Sequence, residues 1–262
     1  MNFSLQNTAI DFKVKMWYHL LNSNYESEKT MDKKTIGIIG GMGPMATADL
    51  FTKIINFTDA SRDAEHIHVV IDNNPQIPDR TSAILRGTES PLPYLIESAN
   101  KLKSAGADFV IIPCITSHGF YDELVNSVDV PILNIVEETA KYLKSLSINK
   151  VVLLATDGTR FTNVFGKIFK EFGIELLYPS NSVQSDLMDL IYKGIKAGRE
   201  EWDCSTVNAE LDRLAADGAE AVILGCTELP LAAKIYGLNG NLIDPTEVLA
   251  KSAIINAGYN VK

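Results

Sequence analysis

Eight short, largely β-branched runs recur along the chain: "TIGII", "HIHVVI", "DFVII", "VPIL", "KVVLLA", "IELLY", "AVIL" and "NLI". Each is apolar along its length instead of alternating with polar residues. A strand with one wet face alternates, whereas a strand covered on both faces does not, and parallel sheets produce the second pattern. Longer stretches with helical spacing lie between the runs. Residues 46–57 bring Leu50, Phe51, Ile54 and Ile55 to one face, and residues 95–104 stop short of Gly106. Residues 136–146 and 207–216 share the period, the latter followed by Gly218. Glycine just past the last periodic residue is a common helix stop. Strand and helix in alternation predict an α/β fold, mainly parallel sheet flanked by helices.

The chain also repeats itself. "KTIGIIGGMG" at 34–43 resembles "KVVLLATDGT" at 150–159, each a strand entering a glycine-containing turn. "GADFVIIPCITSH" at 106–118 then resembles "GAEAVILGCTELP" at 218–230. Two similar lobes follow, packed about a pseudo-twofold axis. We expect the first lobe to hold residues 31–132 plus 231–262 and the second to hold 133–230. Residues 1–30 mix aromatic and polar side chains without a sustained period. Loop or disorder is the expectation there, ahead of a short docking helix around residues 17–21.

The charge balance restricts partners. A net charge of -9 and a pI near 5.0 argue against a nucleic-acid surface, which needs clustered Lys and Arg. A small anionic substrate stays possible, because a few local cations reverse the field inside a pocket. No run approaches the roughly 18 apolar residues of a membrane span, and the N-terminus has no signal-peptide pattern, so a cytoplasmic protein without membrane partners is expected. Three cysteines, Cys114, Cys204 and Cys226, are too few and too odd for a disulfide framework, so the thiols are read as reduced.

Cys114 and Cys226 both end a strand, and open α/β sheets bind ligands at that edge. A single strand-ending cysteine is more often a small core hydrophobe. Matched positions in two repeats change that, because two thiols facing each other across a cleft can act on opposite sides of one carbon. One removes a proton while the other delivers one to the far face, inverting a stereocentre. A metal site is a poorer fit: Cys114 and His118 have ligand-like spacing but no partner set, and His118 reads better as orienting its loop. "GMGPMA", Gly41 to Ala46, satisfies G-x-G-x-x-A with Asp72 further on, a weak dinucleotide signal whose amides could equally hold a carboxylate. The segment "DNNPQIPDRTSAIL" at 72–85 suits a projecting loop that offers Arg80, and "IKAG" offers Lys196.

Taken in order, "GIIGGMGP", "IDNNPQIPDR", "IIPCITSH", "LLATDGT", "IYKGIKAG" and "VILGCTELP" resemble the aspartate/glutamate racemase family, in particular its aspartate racemase branch, across residues 34–255. The resemblance implies a two-lobed homodimer that racemises an acidic or related amino acid with neither pyridoxal phosphate nor metal. It implies that Cys114 and Cys226 are the acid/base pair and that Arg80 and Lys196 grip substrate carboxylates. It places Met42, Asn73, Thr116 and Thr227 along the pocket. Two positions depart from the family pattern. Ile115 stands where an Asn usually follows the first cysteine, and isoleucine can neither donate nor accept a hydrogen bond. Glu228 stands where the glutamate racemase branch has His, and is expected to take the substrate ammonium or a backbone amide.

Overall fold

The computed structural model describes residues 32–262; the expectations for residues 1–30 fall outside the described residues. The first lobe runs β1 (Ile36–Gly40), α1 (Pro44–Phe57), β2 (Val69–Asn73), α2 (Arg80–Arg86), α3 (Leu92–Ser104), β3 (Phe109–Ile111), α4 (Tyr121–Val125), β4 (Ile132–Leu133) and α5 (Ile135–Ser145). The second runs β5 (Lys150–Ala155), α6 (Asp157–Thr162), α7 (Val164–Glu171), β6 (Glu175–Leu177), α8 (Asn181–Asp189), α9 (Ser205–Ala216), β7 (Ala221–Gly225), α10 (Leu229–Ala232), β8 (Leu242–Ile243) and α11 (Pro245–Asn256).

Each lobe carries one four-stranded parallel sheet, and the strand order is the same in both: β2-β1-β3-β4 and β6-β5-β7-β8. The central strands are buried along their whole length, as in "IGIIG" of β1 and "AVILG" of β7. All eight apolar runs become strands. Helix starts are fixed chemically. Asn134 accepts from the amides of Val136 and Glu137 at the start of α5, and Asp244 accepts from Thr246 at the start of α11. A side-chain oxygen at this position satisfies an amide that the helix itself leaves unpaired.

The lobes share their largest apolar core. Ile36, Ile38 and Leu50 from the first lobe and Val151, Leu153 and Ile223 from the second belong to one cluster, with α5 and α11 between them. Helix α11 packs on α1 and α5, and α5 packs on α7. The seams therefore differ from the partition expected from sequence. Leu242 and Ile243 pair with β7 in the second sheet, so the returning segment 231–262 does not belong wholly to the first lobe. Leu133 pairs with Ile111 in the first sheet, past the expected boundary at 132. Each final helix crosses toward the other lobe, a tertiary choice that local periodicity does not encode.

Candidate active site

The carboxyl edges of the two sheets meet at a narrow cleft. Cys114 reaches it from the loop after β3, and Cys226 directly follows β7; each is buried at 6% exposure. Both thiols border this one space, together with Met42, Arg80, Ile115, Thr116, Lys196, Thr227 and Glu228. Nine of the ten residues singled out from sequence thus meet across two lobes. Asn73 does not: it ends β2 on the exposed surface, outside the cleft. Cys204 is buried in the second lobe's apolar cluster and does not line the cleft. All three cysteines are free thiols.

Local chemistry sets each thiol. The Cys114 carbonyl accepts two hydrogen bonds, from Ser117 Oγ at 2.6 Å and from His118 Nδ1 at 3.1 Å. His118 must carry its proton on Nδ1 to make that bond, which leaves Nε2 bare, and Nε2 is buried without a hydrogen-bond partner. Its ring stacks on Tyr121, whose hydroxyl donates to the Ile132 carbonyl on β4. His118 therefore orients the first thiol loop. The turn after Cys114 is a 3-10 helix, Ile115–Phe120, so no long helix begins there.

Arg80 is 8% exposed and aims its guanidinium into the site, donating from Nη1 to the Ile77 and Pro78 carbonyls and from Nη2 to the Met42 carbonyl. Burial opposes its charge, but the neighbouring Cys114 sulfur and Asp79 hold its pKa above the usual arginine value. The sequence suggested a loop here; instead Arg80 opens α2, with the Asp79 carboxylate accepting from the Ser82 amide. Turn-forming residues upstream masked a cap and a seven-residue helix.

The second thiol has a different neighbour. Cys226 Sγ–H donates to Glu228 Oε2 at 2.9 Å, and Thr227 Oγ1 donates to the same oxygen at 3.1 Å. Lys196 Nζ lies 3.5 Å from Glu228 Oε1 and 4.8 Å from the centre of the Tyr192 ring. Within the protein, Glu228 is engaged by a thiol, a hydroxyl and a lysine. Burial and then the Glu228 carboxylate push the Cys226 thiol pKa well up, while Lys196 pulls the other way. Lys196 is itself disfavoured by burial and held charged by Glu228 and the thiols.

Four cleft residues were not anticipated: Asp79, Thr81, Thr156 and Tyr192. Each sits inside a quoted motif, in "IPDR", at its edge, in "LLATDGT" and in "IYKGIKAG", but only the fold aims them inward. Thr116, Thr156 and Thr159 form a buried triangle of hydroxyls with sides of 3.0–3.1 Å that joins the two lobes. The glycine turn is built for packing. The Gly41 amide donates to Thr47 Oγ1, and a Cβ on Gly41, whose φ is +93°, would lie 2.2 Å from the Asn74 carbonyl carbon. Among the described residues no group of three or more His, Cys, Asp or Glu side chains is placed to hold a metal ion.

Comparison with known proteins agrees with this fold. Residues 39–253 match the family model described as Asp/Glu/Hydantoin racemase. The broad specificity amino-acid racemase RacX of Bacillus subtilis is 29% identical over 84% of this chain and 96% of its own length. Picrophilus torridus aspartate racemase superposes with a TM-score of 0.74 at 31% identity, covering 87% of this chain and 96% of its own. An aspartate racemase homologue from Pyrococcus horikoshii gives 0.69 at 27%, covering 86% and 99%. With the family model spanning most of the described residues, and the same two-lobed fold in these solved relatives, the chain belongs to the Asp/Glu/Hydantoin racemase family.

Proposed function

We propose that the protein is an amino-acid racemase that needs no cofactor, with Cys114 and Cys226 as opposed acid and base. The observation that carries this reading is the arrival of two thiols, from equivalent strand ends of two like lobes, at one cleft. Cys114, beside the Arg80 guanidinium, serves as the base that takes the α-proton of one enantiomer. Cys226 gives its thiol proton to the opposite face of the resulting carbanion, leaving Cys114 as thiol and Cys226 as thiolate. The other enantiomer runs the same steps in reverse, and proton exchange with water resets the pair.

An α-proton is weakly acidic, so the carbanion must be stabilised where its charge develops. Arg80, Lys196 and the hydroxyls of Thr116, Thr156 and Thr227 are the groups that would hold the substrate carboxylate, with Met42 and Ile115 closing the wall. Aspartate, glutamate or a related amino acid fits this set of donors. A homodimer in the cytoplasm belongs to the same reading. Incubation of either enantiomer in heavy water, without added cofactor, is expected to place deuterium at Cα and to yield the racemate.

Ile115 favours a second reading, a protein that binds an amino acid without turning it over. Losing a donor to a charged group costs about 1.5–3 kcal/mol. Calorimetric binding with no deuterium incorporation would select this reading, and turnover at ordinary enzyme rates would remove it.

A further inference from the structure

A second, solvent-open cavity of about 330 Å³ adjoins the reaction cleft on its outer side, between α2 of the first lobe and α6 and α8 of the second. Asp79, Thr81 and Tyr192 line both spaces and so form the partition between them. Tyr192 reaches across that partition from the second lobe. Its hydroxyl spans the lobes to Thr81 Oγ1 at 3.4 Å, long for a hydroxyl pair. It lies within the π-helical stretch Leu190–Ile195, a kind of distortion that recurs at functional sites. Beyond it the outer cavity offers Leu85, 42% exposed on α2, and Met188 on α8.

We propose that this outer cavity is a side-chain subsite for amino acids with a long, uncharged side chain, and that Tyr192 swings off Thr81 to admit it. The inference rests on the racemase reading of the cleft and adds a substrate class to it. Charge points the same way. The outer wall carries Asp79 and Asp157 against the single cation Arg86, which donates to Ser82. A side-chain carboxylate placed there would face two like charges, whereas an alkyl or thioether chain meets Leu85 and Met188.

The test compares norleucine with alanine on the full chain, by calorimetric binding and by deuterium exchange at Cα. Leu85 is exposed on a helix, so Leu85→Glu is expected to fold as the parent does. It should weaken norleucine binding, and kcat/KM where turnover occurs, by about tenfold or more, while alanine changes less than twofold. Absence of norleucine binding in the parent protein, norleucine affinity unmoved by Leu85→Glu, or an equal loss for alanine would each overturn the subsite. Lack of exchange with every amino acid would instead overturn the racemase reading, and the norleucine affinities would still decide the subsite.

Discussion

Cys226 donates its thiol hydrogen to Glu228 across 2.9 Å, and the same carboxylate lies 3.5 Å from Lys196. An anion beside a thiol disfavours the thiolate, so Glu228 and burial together keep Cys226 protonated. Cys114 has no carboxylate in that place; it faces Arg80. The two thiols thus have unlike neighbours, supplied by residues on opposite lobes.

Replacing Glu228 by Gln keeps the shape and removes the charge. The pH midpoint for iodoacetamide alkylation of Cys226, followed by mass spectrometry of the labelled peptide, should fall. A Cys226 profile that does not move would remove Glu228 from the account.

Cys114→Ala and Cys226→Ala should each lower racemisation by about 10²–10⁴-fold, the usual worth of a positioned acid or base. Each variant should retain Cα deuterium exchange for one enantiomer only, the one whose proton faces the surviving thiol. Exchange of both enantiomers by either variant would contradict the two-base scheme.

Burial holds His118 neutral, with its pKa pushed down from 6.5 to about 4. Between those values the unfolded chain binds the extra proton, so stability is fully present above about pH 6.5 and is lost as pH falls toward 4. The whole effect is about 3 kcal/mol. His118→Asn keeps a donor for the Cys114 carbonyl and removes the titration. Urea unfolding across this window should show a steeper acid loss for the parent than for the variant, and parallel curves would refute the assignment.

Helix α6 crosses α2 where Gly158 has no side chain. A Cβ there would lie 3.0 Å from both Cα and Oγ1 of Thr81 and 3.2 Å from Thr116 Cγ2. Gly158→Val should push α2 away from the second lobe, at a cost of roughly 1–3 kcal/mol in stability. Because α2 carries Arg80, KM should rise in the same variant. Thermal melting and steady-state kinetics check the pair, and an unchanged KM would show that α2 need not be held so closely.

The strands, the repeat and both cysteines were legible because they depend on near neighbours. An apolar run such as "KVVLLA" specifies a covered strand by itself, and two copies of one strand-turn-cysteine pattern announce two like lobes. Arg80, Thr116, Lys196 and Thr227 were legible through family resemblance, since their motifs are short but ordered. Asn73 misled because its motif reaches the cleft at Arg80 while the end of β2 does not. Helix α2 was hidden by the prolines before it.

The amino-acid sequence by itself determined which segments are strands, where each thiol follows one, and that the pattern occurs twice, because those properties are set within a dozen residues. Only the tertiary structure decided that Glu228 faces Cys226 and Lys196, that β8 joins the second sheet while α11 packs on the first lobe's α1, and that Tyr192 stands between two cavities. Those relations are distances between elements far apart in the chain, and packing fixes them where periodicity cannot.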